Sequence, residues 1–386
     1  MTASNKLCKL AINGYDQRNS SACCWIKDAH GQPSVRHNIT AKEYLNSSSI
    51  WAVREALQRG EEHPACEKCW IDESQGKVSK RVATDLNKDV RRNFTFAPYY
   101  AEPGELIYLT IFIGNKCNLA CRTCGVHSST GWIKEHKFIQ KHTLDQPGFS
   151  MNPSVKPFDS SDIDVPLNKL QYLEVLGGEP FYELEHVKFI ERICEEADPK
   201  KVTLFYSTNG TKTLDKQIEK IFSRFKKIII SFSIDAVYKP FEYIRTLGKW
   251  EEVEQTISYW GSKSNVQIQN HATISVLNIM YISELYNYFR QKQNFVDGQL
   301  SYTYASYPPQ YTFDILGEDI KQKYNNDILS SIQFGYQTDS IQNYYKNSKF
   351  DEQSYNYFLS QIEYTNKFRN LAIQDYLPKL CKVLNI

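Results

Sequence analysis

The feature that most constrains this chain is a group of three closely spaced cysteines, Cys117, Cys121 and Cys124, in the run IFIGNKCNLACRTCGV. The C-x3-C-x2-C spacing directly follows residues 106–113, whose β-branched and aromatic side chains favour a strand. A 4Fe–4S cluster normally takes one cysteine thiolate on each iron. Three thiolates leave one iron open, and an open metal position is typical of a reaction site.

A zinc site is the main alternative for these three thiols. Zinc usually takes four ligands from paired C-x2-4-C motifs, often with histidine, and His127 is a possible fourth ligand. Three unrelated thiols are the remaining alternative. The spacing favours the iron–sulfur site, and motifs further along the chain strengthen that interpretation.

The bulk composition excludes several other classes of protein. The chain has 386 residues, 41% of them apolar, which allows a large domain and a smaller one. Its 46 basic and 44 acidic residues give a net charge of +2, so charge gives no reason to expect nucleic acid or an anionic membrane as a partner. No stretch approaches the roughly 20 apolar residues of a membrane span, and the first residues lack the apolar core of a secretory signal. We therefore expect a cytoplasmic protein, in which clustered cysteines indicate metal binding rather than disulfides.

Strand and helix patterns alternate along the middle of the chain. Six apolar runs are separated by amphipathic helical patterns; the runs are LIYLTIFIG, LQYLEVLGG, KVTLFYSTNG, KKIIISFSID, VQIQNHATISVL and QLSYTYAS. The helical patterns lie around residues 131–142, 185–197, 214–225, 249–262 and 281–291. This alternation predicts an α/β fold with parallel strands and crossover helices. Six units are too few for a closed eight-stranded barrel, so we expect a partial (β/α)6 barrel of the TIM type.

Three motifs each follow a predicted strand. They are the cysteine run, GGEP at residues 177–180 and STNG at residues 207–210. Because the carboxyl ends of parallel strands lie at one edge of a sheet, we expect these motifs to share that edge.

In this order, the motifs resemble those of the radical S-adenosylmethionine superfamily over roughly residues 105–305. The cysteine run resembles the cluster loop of that family, LGGEP its GGEP motif and STNG its polar rim. FSIDA at 232–236, YIRTLGKWEEV at 243–253 and VLN at 276–278 resemble later motifs. The resemblance implies a 4Fe–4S cluster with S-adenosylmethionine at its open iron.

The same resemblance implies roles for particular residues. Gly177 and Gly178 allow close backbone approach, Glu179 brings a carboxylate near the methionine ammonium, and Arg245 pairs its planar fork with the methionine carboxylate. The implied cofactor-binding residues are Gly177, Gly178, Glu179, Pro180, Ser207, Asn209, Ser233, Asp235, Arg245 and Asn278. Taken singly, a glycine pair can be a turn, a Ser or Asp a helix cap, and Arg245 a surface ion-pair partner.

A second cysteine group lies near the amino terminus. It resembles the twitch, or shortened SPASM, module that carries an auxiliary cluster, although in that family the module usually follows the barrel. The resemblance implies a second 4Fe–4S cluster, held by Cys8, Cys23, Cys66 and Cys69 with Cys24 in reserve for Cys23. A zinc-ribbon-like site is the alternative. We therefore expect an auxiliary-cluster domain over residues 1–100, the partial barrel over 101–306 and a helical extension over 307–386.

The resemblance implies an enzyme of the oxidoreductase type. Such an enzyme reductively cleaves S-adenosylmethionine to a 5′-deoxyadenosyl radical, which abstracts hydrogen from the substrate. The first expectation is oxidative modification of a peptide, and the alternative is oxidation or rearrangement of a sugar- or nucleotide-type metabolite. A non-catalytic iron–sulfur scaffold or electron-transfer protein is a third possibility. The implied electron donor is a reductant of the flavodoxin or ferredoxin type, and neither nucleic acid nor a membrane is an expected partner.

Overall fold

Seven parallel strands form one sheet in which each strand pairs with the next along the chain. The computed structural model describes residues 6–27, 39–74, 79–85, 102, 104–142, 158–305, 308–332 and 338–386. The strands are β1 (Gly14–Asp16), β2 (Tyr108–Phe112), β3 (Tyr172–Leu176), β4 (Thr203–Thr208), β5 (Lys227–Phe232), β6 (Val266–Ile274) and β7 (Phe295–Tyr304). The six predicted strands are present as β2 to β7, and the sheet forms the expected partial barrel.

Helices cross over between the strands of this sheet and also follow it. Those of the amino-terminal half are α1 (Lys9–Asn13), α2 (Ala41–Leu45), α3 (Ser48–Gln58), α4 (Glu67–Ser74), α5 (Lys80–Asp85), α6 (Ile133–His142) and α7 (Glu185–Glu196). The later ones are α8 (Lys216–Phe222), α9 (Tyr238–Ile244), α10 (Trp250–Gly261), α11 (Ile282–Phe289), α12 (Glu318–Ser331), α13 (Thr338–Asn347), α14 (Glu352–Arg369), α15 (Ile373–Tyr376) and α16 (Pro378–Leu384). The five helical patterns predicted from the sequence correspond to α6, α7, α8, α10 and α11.

The central strands are buried because helices cover the outer face of the sheet. Leu173, Leu204 and Ile229 are fully buried on three successive strands. Strands buried in this way read as nearly continuous apolar runs, which is why their positions were predictable. The covering helices are amphipathic; in α7, for example, Phe189 and Ile193 face the core.

The amino-terminal segment contributes an edge strand that the sequence analysis did not predict. Gly14, Tyr15 and Asp16 of β1 pair in parallel with the first three residues of β2. Tyr15 belongs to the same continuous hydrophobic core as the barrel strands. A separate amino-terminal domain therefore stays a prediction, and both predicted boundaries, after residues 100 and 306, fall beside or among residues outside the described ranges.

The described residues of the carboxyl-terminal part are largely helical and pack on the same core. Phe313, Phe358 and Leu380 are fully buried there. None of the helices in the described ranges is long and apolar enough to cross a membrane.

A buried histidine between α7 and β4 predicts a loss of stability in mild acid. Nδ1 of His186 donates to the carbonyl oxygen of Glu183 at 2.7 Å, and Nε2 accepts from the hydroxyl of Tyr206 at 3.1 Å. Burial lowers the pKa of His186 from 6.5 to about 4. Because the unfolded chain takes up the proton near pH 6.5, this contribution is present above that pH and is lost as the pH falls towards 4.

When the pH falls from 7 to 5, His186 alone should lower the free energy of unfolding by about 2 kcal/mol. The His186→Gln variant keeps a neutral donor and acceptor and should lose correspondingly less over the same range. Anaerobic denaturant unfolding of both proteins at the two pH values measures the difference. Equal losses in parent and variant would show that His186 does not titrate in this window.

Candidate cofactor site at the carboxyl ends of the strands

The three cysteines of the loop between β2 and α6 line one cavity of about 220 Å³. The rest of its lining comes from neighbouring strand ends and loops: Leu119, Thr123, Ser128, Ser129, Gly177, Gly178, Ser207, Thr208, Asn209, Ser233, Arg245 and Thr273. Residues that end or follow five neighbouring strands, β2 to β6, therefore meet in one place. Of the ten residues expected to bind the cofactor, six line this cavity.

Nitrogen donors are directed at the sulfur atoms of two of these cysteines. The backbone nitrogen of Leu119 lies 3.5 Å from Sγ of Cys117, and Nδ2 of Asn209 lies 3.6 Å from the same atom. Nη1 of Arg245 lies 3.8 Å from Sγ of Cys121. Hydrogen bonds to thiolate sulfur are one means by which proteins set the potential of iron–sulfur clusters. These nitrogen donors around Cys117 and Cys121 are therefore consistent with cysteines that ligate such a cluster.

Burial keeps the three thiols in the protonated form when no metal is bound. It raises the pKa of Cys121 to about 12 and that of Cys124 to about 11, and it also raises the pKa of Cys117. A metal must displace these protons when it binds. Because the thiolate is both the nucleophile and the metal ligand, thiol catalysis is disfavoured in the metal-free loop, and metal binding there must release the thiol protons.

The zinc alternative receives no support from the geometry of this loop. His127, its possible fourth ligand, is exposed and does not line the cavity.

The GGEP segment packs backbone against backbone on the start of the cysteine loop. The nitrogen of Gly178 donates to the carbonyl oxygen of Gly114 at 2.8 Å, and that of Glu179 donates to Lys116 at 2.9 Å. A Cβ added at Gly178 would lie 2.4 Å from the carbonyl oxygen of Lys116. Gly177 has a φ of +147° and lies against Ile113. Only glycine fits this contact, and the approach leaves both residues on the cavity wall.

The carboxylate of Glu179 is fully buried and joins the GGEP segment to the end of β4. Oε1 accepts hydrogen bonds from the nitrogen of Phe181 at 3.2 Å and from the hydroxyl of Thr208 at 2.8 Å, while Oε2 accepts from the nitrogen of Asn209 at 2.6 Å. Burial raises the pKa of Glu179 to about 7, although these donors oppose the rise. Glu179 does not line the cavity, so its contact with the cofactor ammonium stays a prediction.

Arg245 is a buried residue that reaches the cavity wall while paired with Asp235. Its Nε donates to Oδ2 of Asp235 at 2.9 Å, and Oδ1 of Asp235 accepts from the nitrogen of Thr273 at 2.7 Å. Burial alone would lower the pKa of Arg245, but Asp235 and the nearby cysteines raise it above its usual value. The geometry therefore does not match an exposed surface ion pair, and Nη1 lies at the cavity beside Cys121.

Asn278 and Pro180 lie outside the cavity lining. Nδ2 of Asn278 donates to the carbonyl oxygens of Asp235 and Thr273, both at 2.9 Å, and so connects the ends of β5 and β6. Pro180 begins the short 3-10 turn Pro180–Tyr182. The predicted contacts of Asp235, Asn278 and Pro180 with the cofactor remain predictions.

Polar side chains occupy the face of the sheet that carries Ser207 into the cavity. Ser207, Ser231 and Gln269 are at adjacent register positions on β4, β5 and β6. Nε2 of Gln269 donates to the hydroxyl of Ser231 at 3.2 Å, and the hydroxyls of Ser207 and Ser233 are 3.2 Å apart. Of these side chains, Ser207 and Ser233 line the cavity, whereas Ser231 and Gln269 are buried behind it and bond to each other.

The amino-terminal cysteines also lie near one another. Burial raises the pKa of Cys66, and charges on Cys8, Cys23 and Cys69 raise it further. Burial likewise raises the pKa of Cys8 to about 11 and that of Cys23 to about 12. Cys66 is therefore within electrostatic reach of the other three thiols selected from the sequence, and Cys23 is also within reach of the exposed Cys24.

Several residues that support the cysteine loop were missed by the sequence analysis. Trp132 is buried and donates from Nε1 to the carbonyl oxygen of Cys121 at 2.8 Å. Arg122, between two of the cysteines, is fully buried and donates to Asn366 on α14. Arg369, the last residue of α14, donates in turn to Ala120 in the cysteine loop. The only sequence signal was an arginine inside the C-x3-C-x2-C motif, which does not indicate a partner so far along the chain.

No family model and no curated protein sequence matches this chain. Among solved structures, SuiB of Streptococcus suis bound to S-adenosylmethionine is 16% identical, with 57% of this chain and 44% of SuiB covered and a TM-score of 0.34. The structure of anSMEcpe with bound AdoMet is 16% identical, with 56% and 60% covered and a TM-score of 0.34. That of anSMEcpe with AdoMet and the Cp18Cys peptide is 14% identical, with the same coverage and a TM-score of 0.33.

The chain thus spans 44% of SuiB and 60% of anSMEcpe. Structural likeness with TM-scores of 0.33 to 0.34 supports no conclusion about function. The function proposed for this chain rests instead on the residues of the site.

Proposed function

We propose that this chain is a radical S-adenosylmethionine enzyme. The observation that carries the proposal is the single cavity in which Cys117, Cys121 and Cys124 meet the Gly177–Gly178 backbone and Arg245. These groups come from motifs that are far apart in sequence and that resemble, in order, the motifs of one family. Chance placement of turns, caps and surface ion pairs does not account for such convergence.

In this proposal the chain's own residues bind and orient the cofactors. Cys117, Cys121 and Cys124 would ligate three irons of a 4Fe–4S cluster, which when bound supplies the electron that cleaves S-adenosylmethionine to the 5′-deoxyadenosyl radical. Arg245 would pair with the methionine carboxylate, because its fork is held at the cavity by Asp235. Gly177 and Gly178 would leave room for the ammonium end against their backbone.

Residues at the ends of β4 and β5 would complete the cofactor site. Ser207, Asn209 and Ser233 line the cavity and would contact the adenosyl part or the substrate. Glu179 lies behind them and holds Thr208 and Asn209 in place, so its contribution to the ammonium would include fixing the loop that receives it.

We extend the proposal to an auxiliary 4Fe–4S cluster on Cys8, Cys23, Cys66 and Cys69. The electrostatic influence of Cys8, Cys23 and Cys69 on the thiol of Cys66 supports it. A cluster ligated on every iron has no open position, so its role would be to transfer electrons or to hold the fold.

The substrate proposed first is a peptide, which undergoes oxidative modification. The proposal rests on the resemblance of the amino-terminal cysteines to the twitch module, and the polar side chains of Ser207, Asn209 and Ser233 on the cavity wall suit a neutral, hydrogen-bonding substrate. Those same groups would also suit a sugar- or nucleotide-type metabolite. A mass shift in an isolated peptide or metabolite substrate separates the two, and a short precursor-peptide gene beside this one would favour the peptide.

The test of the proposed chemistry is anaerobic reconstitution with iron and sulfide, reduction, and measurement of 5′-deoxyadenosine formed from S-adenosylmethionine. We expect cleavage even without substrate. A fully reconstituted protein that does not cleave S-adenosylmethionine would instead support a non-catalytic iron–sulfur protein.

The adjacent cysteines Cys23 and Cys24 allow a matched test of the auxiliary site. Cys24 is exposed, and its sulfur accepts a hydrogen bond from Nζ of Lys80 at 3.3 Å. The reconstituted parent should contain about eight irons per chain, counted as two four-iron clusters. Cys23→Ser should lose most of the iron of one cluster, whereas Cys24→Ser should retain all of it. Iron and sulfide analysis with Mössbauer spectroscopy measures both, and equal iron loss in the two variants would contradict the assignment.

A further inference from the structure

Arg122 turns away from the cavity and binds the carboxyl-terminal helix α14. It directly follows Cys121, and its side chain is fully buried. Nη1 donates to the hydroxyl of Thr365, and Nη2 donates to Oδ1 of Asn366 at 2.9 Å. Nε donates to the carbonyl oxygen of Tyr243 at 3.1 Å, and the guanidinium lies 3.7 Å over the ring of Tyr243. The Arg122 side chain therefore anchors the cysteine loop on α14 and on the end of α9.

Arg369, at the end of α14, reaches back to the same loop. Nη2 donates to the carbonyl oxygen of Ala120 at 2.9 Å, and Nη1 donates to the hydroxyl of Thr246. Nε donates to Oε2 of Glu135 on α6 at 2.8 Å, and this ion pair is buried on both sides. One guanidinium thus contacts the cysteine loop, the segment after α9 and helix α6.

The two arginines join the cysteine loop to the segment that carries Arg245. The backbone nitrogens of Ala120 and Arg122 donate to the carbonyl oxygens of Thr246 and Ile244 at 3.0 and 2.8 Å. Together with the arginine contacts, these bonds link residues 120–122, residues 243–246 and α14. Because Cys121 lies in the first segment and Arg245 in the second, their positions are not independent.

Burying two guanidinium groups is an expensive way to stabilise a fold. Taking a charge out of water costs several kcal/mol, and apolar side chains of similar size often serve as well or better. Compared with an apolar side chain, the planar guanidinium of arginine makes several hydrogen bonds in a fixed geometry. The donors of Arg122 meet neutral oxygens on two segments, which is the pattern expected of residues that hold backbone in place.

We propose that Arg122 and Arg369 are positioning residues through which α14 holds the three cysteines and Arg245 in one arrangement. The proposal deepens the proposed function and rests on it, because it assigns the carboxyl-terminal helix a part in the cluster and cofactor site. Substitution of either arginine should disturb the cysteine loop and the Arg245 segment together, although neither Arg122 nor Arg369 lines the cavity.

The experiment compares Arg122→Lys and Arg369→Lys with the matched control Arg192→Lys. Arg192 on α7 also pairs with a glutamate, Glu196 at 2.6 Å, and donates to a backbone carbonyl, that of Ile163 at 2.8 Å, but it lies away from this site. Hydrogen exchange of residues 117–132 and 243–248 is measured in the cluster-free protein. Iron release to a chelator and the S-adenosylmethionine titration, followed by EPR of the reduced cluster, are measured in the reconstituted protein.

We expect both lysine variants to accelerate exchange in the two segments together, by about tenfold, since each loses at least one charge-assisted hydrogen bond. Iron of the cysteine loop should be released faster and the titration midpoint should rise by about tenfold, while iron at the amino-terminal cysteines is retained. Arg192→Lys should behave as the parent. The exchange readout needs no cluster, so it tests the positioning role even if the chain does not cleave S-adenosylmethionine.

Two outcomes would overturn the proposal. One is exchange, iron release and titration midpoints at parental values in both variants. The other is uniformly faster exchange with equal iron loss at both cysteine groups, which would mean that the arginines only stabilise the fold. The milder Thr365→Val variant removes one acceptor of Arg122 and keeps the proposal testable if a lysine variant does not fold. The Thr365→Val variant should accelerate hydrogen exchange in residues 117–132 by a smaller factor than the lysine variants do.

Discussion

Formation of 5′-deoxyadenosine should be abolished when Cys117, Cys121 and Cys124 are replaced together by alanine. The three thiols line one cavity and are the only cysteines among its lining residues. Without them the cluster with an open iron has no ligands, so the electron that cleaves S-adenosylmethionine cannot be delivered. Anaerobic assay with reductant and quantification of 5′-deoxyadenosine by mass spectrometry measures the loss.

Two further variants identify the cause of that loss. Cys194 is a buried thiol outside both groups, so Cys194→Ala should keep parental activity. Replacement of Cys66 and Cys69 should leave some cleavage of S-adenosylmethionine without modification of the substrate, provided that the chain stays folded. Parental formation of 5′-deoxyadenosine in the triple variant would show that the cofactor site has been assigned to the wrong cysteines.

Loss of Arg245 should weaken S-adenosylmethionine binding by about 10- to 100-fold, since one charge-assisted hydrogen bond contributes about 1.5–3 kcal/mol. Arg245→Lys keeps the charge but loses the fork, so its affinity should lie between those of the parent and Arg245→Ala. Titration of the reduced cluster with S-adenosylmethionine, followed by EPR, gives the midpoints. Iron content should not change, because Arg245 is not a ligand.

The partner of Arg245 provides a second variant. Asp235 accepts from Nε of Arg245 and from the nitrogen of Thr273, so Asp235→Asn should displace the guanidinium from the cavity. We expect weaker cofactor binding in this variant as well, with a lower unfolding midpoint because a buried cation loses its counter-charge. A titration midpoint in Arg245→Ala equal to that of the parent would remove Arg245 from the cofactor site.

Much of the barrel was predictable because its signals are local. The run Ile228–Ile230 of β5 is apolar at successive positions since both faces of the strand are buried, and the other central strands also carry apolar runs. The GGEP and STNG motifs stand at strand ends, and parallel strands bring their carboxyl ends to one edge. The common cavity of Cys117, Gly178, Asn209 and Arg245 follows from that geometry.

Other features depended on contacts that no local pattern records. The strand β1 has three residues and acquires its place only by pairing with β2, more than 90 residues later in the chain. The contact of Glu179 with the cofactor stays a prediction, and no local pattern indicated that its carboxylate also accepts hydrogen bonds from Thr208 and Asn209 at the end of β4. Whether a carboxylate at a strand end turns to a ligand or to a neighbouring loop is decided by which donors the fold brings within reach.

The sequence by itself determined the positions of strands β2 to β7, the cysteine motif and the edge of the sheet at which the motifs meet, because these follow from periodicity and spacing. Only the tertiary structure decided what supports that edge. Arg122 and Thr365 are 243 positions apart and meet because α14 folds back over the cysteine loop. A buried arginine is satisfied by whichever oxygens surround it, and these are fixed by packing between distant segments rather than by any pattern within one.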